Sequence, residues 1–208
     1  MSMDVPSKGE SALREPGKSR APRADAQRNL DALLKAAMAV FMSSGVDAPV
    51  REIAEKAGVG VATLYRHFPQ RMDLVVAVFR NEIDACADAA PVLARAHPPG
   101  EALGLWMQRY VDFINTKRGL AAALHSGNPV FEPLPAYFSQ RLRPALQTLL
   151  DAAAAAGEIR GDTDPDDLLE AVGGLSRSAP NGELGQARRM VALLVDGLRY
   201  GAGTGAKL

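Results

Sequence analysis

Between Val50 and Arg71 the chain reads VREIAEKAGVGVATLYRHFPQR, two short helical patterns that meet at a glycine. Val50, Ile53, Ala54 and Ala57 fall on one face of a first helix. Pro49 suits the first turn of that helix, where a missing N–H costs nothing. Gly58 ends it and can take the positive φ that a sharp turn needs. A second helix runs from about Val61 to His67, and Pro69 forbids a smooth continuation. Ala54 is small where the two helices must cross closely, while Val59 and Leu64 can tuck under the turn. The spacing is that of a helix-turn-helix.

The second helix offers an outer face of Val61, Ala62, Thr63, Tyr65, Arg66 and His67, which is polar, aromatic and basic. A helix presented in this way fits the major groove of duplex DNA. Val61, Ala62 and Thr63 are placed to meet base edges and thymine methyls. Tyr65 and His67 can donate to phosphate oxygens, and Arg71 brings charge to the start of the next helix. Arg51 and Arg66 complete the candidate DNA-binding set. The alternatives are a half-buried aromatic at Tyr65, a satisfied core histidine at His67 and solvated charges at Arg51 and Arg66.

Around this stretch the pattern is helical throughout, and no segment reads as a strand. Leu30, Leu33, Leu34, Ala37 and Phe41 form the apolar stripe of a helix starting near Ala26, with Asp25 as its N-cap and Gly45 at its end. A long helix is expected from about Arg71 to Ala89, broken by Pro91. Further helices are expected over about 101–116, 120–125, 137–156, 165–178 and 183–200. Asp164-Pro165-Asp166-Asp167 gives a cap, a proline at the first helical position and two acids on the positive end of the dipole. Aromatics make up 5% of the 208 residues, a share that favours helix over sheet. The expected class is all-α with about nine helices.

Composition narrows the function. The chain carries 24 basic and 24 acidic residues, so wholesale electrostatic coating of a polyanion is disfavoured. The single cysteine, Cys86, excludes an intramolecular disulfide framework and a cysteine-based zinc cluster. His67, His97 and His125 are isolated from partners for catalysis or metal binding, so neither a catalytic residue, a metal site nor a cofactor is expected. No apolar run approaches the roughly 20 residues that span a bilayer. Residues 1–25, rich in Pro, Gly, Ser and charge, read as a disordered tail without an apolar signal segment. A cytoplasmic location is expected.

Residues 26–79 resemble the DNA-binding domain of the TetR family of bacterial transcriptional repressors. The resemblance rests on Phe41 and Gly45, on Ile53-Ala54 and Ala57-Gly58-Val59, and on Thr63-Leu64-Tyr65-Arg66-His67-Phe68-Pro69. The chain departs from that pattern at Pro49, where Ser or Thr is usual, at Gly60, often Ser, and at Arg71, usually Lys. Asp164-Pro165-Asp166-Asp167-Leu168-Leu169 and Leu193-Leu194-Val195-Asp196-Gly197-Leu198 resemble C-terminal segments of an actinobacterial subgroup.

The resemblance implies a ligand-responsive homodimeric repressor of a pseudo-palindromic operator. It divides the chain into a tail (1–25), a three-helix DNA-binding domain (26–73) and a helical effector-binding and dimerisation domain (74–208). The alternative is a helical protein-interaction module that no longer binds DNA. The resemblance also implies an effector pocket, for which Trp106, Tyr110 and Phe113 on one helix face are the candidate lining and His125 a polar anchor; the alternatives are core packing of the three aromatics and a simply exposed histidine. Because the intervening basic residues form no dense cluster, an apolar or weakly polar effector is expected. Dimerisation is expected through the last two helices, along a stripe of Ala187, Val191, Leu194 and Leu198 with Leu168, Leu169, Val172 and Leu175 before it; the alternative is that the stripe covers the chain's own core.

Overall fold

The computed structural model describes residues 20–118, 120–178 and 184–200, and among them are nine α-helices and one short 3-10 turn. The helices are α1 (Arg20–Ser44), α2 (Val50–Ala57), α3 (Val61–His67), α4 (Arg71–Ala96), α5 (Pro99–Arg118), α6 (Ala121–Leu124), α7 (Leu134–Ala155), α8 (Pro165–Ser178) and α9 (Leu184–Leu198). The all-α expectation holds. Most of the expected tail lies outside the described residues, but α1 starts at Arg20, so its last residues are helical and Asp25 lies inside the helix.

The first three helices close around the start of α4. α1 packs on α2 and α4, and its Leu33, Ala37, Val40 and Phe41 are buried with Ile53, Ala54 and Leu64. Gly58 adopts φ +67, and two bonds close the end of α2: Gly58 N–H to Glu55 O at 3.1 Å and Val59 N–H to Ala54 O at 3.0 Å. This pair satisfies carbonyls that the helix end would otherwise orphan, and only a left-handed residue allows it. Gly60 caps α3 through its carbonyl, which accepts from Thr63 and Leu64 N–H.

α4 does not stop before Pro91. It runs on to Ala96 with the proline inside. The proline ring removes the donor that would reach Ala87 O. Pro91 faces solvent, while Ala87 and Ala90 on the same turns pack in the core, so tertiary burial carries the helix past the lost bond. α7 likewise contains Pro144 and begins at Leu134, three residues before the expected start.

α5 is the central helix and touches α4, α7, α8 and α9. Its Leu103, Trp106, Met107 and Val111 are fully buried. Glu158, in the turn after α7, accepts the Gly100 N–H at 2.9 Å and so caps α5 from a distance. The α8 start follows its sequence signature, with Asp164 Oδ1 accepting from Asp166 N–H at 2.7 Å.

Candidate functional site

α3 stands proud of the three-helix head. Leu64 points inward and is buried, whereas Val61, Ala62, Tyr65, Arg66 and His67 are exposed and Thr63 is half-buried. Tyr65 is 49% exposed, too much for a packing residue, and its hydroxyl is carried on the outer face. Arg66 and His67 occupy the last turn of the helix, where positive charge also suits the dipole. Arg51, on α2, is exposed and paired with Glu55 at 2.8 Å, so its guanidinium lies along its own helix.

Arg71 has a different task from the one expected. Its Nη1 donates to Val46 O at 2.6 Å and to Ala48 O at 2.7 Å, across the loop between α1 and α2. Position explains this. Arg71 opens α4 beneath that loop and meets two carbonyls that no helix satisfies. Beside it Asp73 accepts the Gln70 N–H at 3.0 Å, completing a reciprocal cap that leaves the α4 start well ordered.

The C-terminal helices hold two adjoining cavities. One, of about 380 Å³, is lined by Phe79, Lys117, His125, Phe131 and Phe138 among others. The other, of about 430 Å³, is bounded by Tyr110, Phe113, Lys117, Phe138, Asp166 and Arg177 among others. Lys117, Phe138 and Ser139 belong to both. The aromatics form a ladder from core to cavity: Trp106 stacks on Tyr110 at 5.8 Å between centroids, Tyr110 on Phe113 at 6.0 Å, and Phe113 meets Phe138 at 6.0 Å.

Three of the four expected effector residues therefore line a cavity: Tyr110, Phe113 and, at the exposed rim, His125. Trp106 lines neither of the two and needs correcting. It is fully buried and its Nε1 donates to Cys86 O at 2.9 Å, so it is a core residue behind Tyr110. Sequence reasoning missed Lys117, Phe138 and Arg177 as lining residues. Lys117 was findable, since it lies four residues after Phe113 on the same face of α5. Phe138 and Arg177 reach the site from other helices, and no local spacing announces them.

The expected dimer stripe also needs correcting. Ala187, Val191 and Leu198 are buried within their own chain, as are Leu168, Leu169 and Val172. They face α5, which α8 and α9 both contact. Leu193 instead is 72% exposed, and Leu194 is half-buried. Among the described residues no group of three or more His, Cys, Asp or Glu side chains is arranged to hold a metal ion. No described helix is long and apolar enough to cross a membrane.

With this geometry in view, the comparisons with known proteins converge. Residues 33–78 match the family model for bacterial regulatory proteins of the tetR family, and residues 98–200 match the SbtR-like transcriptional regulator C-terminal domain. A TetR transcriptional regulator from Streptomyces coelicolor is 41% identical, with 81% of this chain and 97% of that chain covered and a TM-score of 0.70. A TetR regulatory protein from Mycobacterium vanbaalenii is 35% identical, with 86% and 99% covered and a TM-score of 0.67. A gamma-butyrolactone receptor described as ArpA-like, 22% identical with 84% and 98% covered and a TM-score of 0.52, shares the fold. Among curated proteins none matches. The chain belongs to the TetR family of bacterial regulatory proteins, and it is a DNA-binding transcriptional regulator.

Proposed function

We propose that this regulator is a ligand-responsive repressor that binds a pseudo-palindromic operator as a homodimer. The observation that carries the reading is the outer face of α3: five exposed residues, two of them basic, on a helix whose inner side is fixed by Leu64. Val61, Ala62 and Thr63 read base edges, and Tyr65, Arg66 and His67 hold phosphates. Arg71 acts beneath them, fixing the loop that sets the pose of α2. Residues 26–73 are the operator-binding part. Residues 74–208 bind the effector and the second subunit.

The effector occupies the cavities beside Phe113 and Phe138. It acts by binding better to the conformation whose heads do not fit successive major grooves, since a ligand shifts an equilibrium only through differential affinity. Dimerisation uses the outward side of α8 and α9. Met190, Leu193, Leu194 and Gly197 recur at helical spacing there, and α8 offers Ala171, Gly174 and Leu175 without burying them fully. No side chain or backbone approaches the Cα substituent position of Gly174 or Gly197, which leaves room for a second helix.

The test is binding of the full-length protein to duplex DNA from upstream of its own gene, against a scrambled duplex, over a salt series. Preference for the upstream duplex and a steep loss of affinity with salt are expected. Equal, weak and salt-insensitive binding to both would leave a helical interaction module as the better description.

A further inference from the structure

Lys117 lines both cavities, and its ammonium lies over an aromatic face. Its Nζ lies 5.8 Å from the centroid of the Phe79 ring. Burial and the nearby Arg177 guanidinium both push its pKa below the ordinary lysine range, and no carboxylate acts to raise it. The two acids on the wall of the larger cavity do not serve Lys117. Asp166 is taken by Arg143 at 2.8 Å, and Glu170, exposed on α8, borders only the larger of the two cavities. Lys117 and Arg177 are thus solvent-exposed cations on one wall, and the Arg177 charge repels the Lys117 ammonium.

An occupant that relieves this repulsion carries negative charge at one end. Most of the remaining wall fixes its other end: Phe79, Leu124, Phe131, Leu134 and Phe138 are apolar, and His125 stands only at the exposed rim. Ser139, shared by both cavities, adds one hydroxyl beside the cation. We infer that the effector is an organic acid, a single carboxylate on an aliphatic or arylalkyl body, with Lys117 as the residue that selects the anion. This rests on the reading of the cavities as the effector site and replaces the neutral ligand expected from sequence. A phosphate-rich ligand fits less well, because the apolar wall would desolvate its remaining charge.

The experiment uses the full-length protein and two carbon skeletons, decanoic acid and 4-phenylbutanoic acid, each beside the alcohol and the amine of the same skeleton. Affinity is read by thermal shift and by release of bound DNA. The carboxylates are expected to bind about tenfold more tightly than the alcohols, the scale of a charge-assisted bond, with the amines weakest. In Lys117→Met the carboxylates and alcohols are expected to bind alike, and in Lys117→Arg the preference is expected to return. Equal binding of acid and alcohol to the wild type, or a preference that survives Lys117→Met, overturns the anion assignment and leaves the cavity reading standing. Phe138→Trp, which enlarges a side chain that lines both cavities, separates the two. If none of the six probes binds, or if binding is indifferent to Phe138→Trp, the cavity reading itself fails and the anion assignment with it.

Discussion

Asp84 on α4 accepts from Tyr137 on α7 through both of its carboxylate oxygens, each 2.8 Å from the phenolic oxygen. The same carboxylate takes the Nε–H of Arg141 at 2.7 Å, and Arg141 reaches on to Asp88 at 2.7 Å. The Arg80 guanidinium lies over the Tyr137 ring, 4.8 Å from its centroid. Two helices that share a wall of the cavity, through Phe79 and Phe138, are therefore tied along their outer edge by two acids of α4, with Asp84 at the centre. Replacing Tyr137 by Phe removes one neutral donor and is expected to lower stability by about 1 kcal/mol or less. Asp84→Ala leaves both Tyr137 and Arg141 without their shared acceptor and is expected to cost more. Urea denaturation checks the order. A Tyr137→Phe loss equal to that of Asp84→Ala would mean that Arg141 gains nothing from Asp84.

Tyr65→Ala and Arg71→Ala separate contact from support. Tyr65 lies outside the core, so its loss is expected to weaken DNA binding at unchanged Tm and unchanged salt slope, because a neutral phenol releases no counterion. Arg71→Ala strips the donor from Val46 O and Ala48 O, so it is expected to weaken DNA binding and also to destabilise the head by about 1–3 kcal/mol. Anisotropy titrations paired with thermal melts distinguish them. A fully stable Arg71→Ala protein would return Arg71 to the phosphate role read from sequence.

Two neighbours on α9 should respond oppositely to the same change. Val191 is fully buried, so Val191→Asp is expected to prevent folding or leave a protein with no cooperative melt. Leu193→Asp is expected to leave a folded chain of half the mass by light scattering, because a leucine this exposed adds little to the packing of its own subunit. A Leu193→Asp dimer of unaltered stability would move the interface off this face.

The Cys86 thiol gives a pH dependence. Burial pushes its pKa up to about 12, against an ordinary thiol value of about 8.5 in the unfolded chain. The folded state therefore holds this proton more tightly. The linked stability is fully present below the unfolded value and is lost as pH rises toward 12. Between pH 7.5 and 9.5 the wild type is expected to lose about 1 kcal/mol that Cys86→Ala, less stable throughout, does not lose. Denaturation midpoints at the two pH values test this, and parallel declines would assign the loss elsewhere.

What the sequence made legible follows the range of the interactions. The α2–α3 turn is local: Ala54, Gly58, Val59 and Leu64 lie within eleven residues, and each behaves as its spacing implies. Asp164-Pro165 marks the start of α8 for the same reason. Pro91 misled because a proline breaks an isolated helix, whereas α4 is held by neighbours distant in sequence. The α9 stripe was correctly apolar but wrongly aimed. Periodicity gives a face, not the body that covers it, and α5 covers this one. Between pocket and core for Trp106 spacing could not choose, since only the fold reveals that its indole is sealed against Cys86.

Phe79 and Arg71 sit eight positions apart on α4, about 12 Å of helix. One forms a wall of the cavity, and the other clasps the loop that carries α2. The residues between them include no proline or glycine; Pro91 comes later, beyond the cavity. A packed two-turn rod has almost no compliance along its axis. If the proposed effector displaces Phe79, Arg71 is expected to move with it, a route of two helical turns from cavity to head.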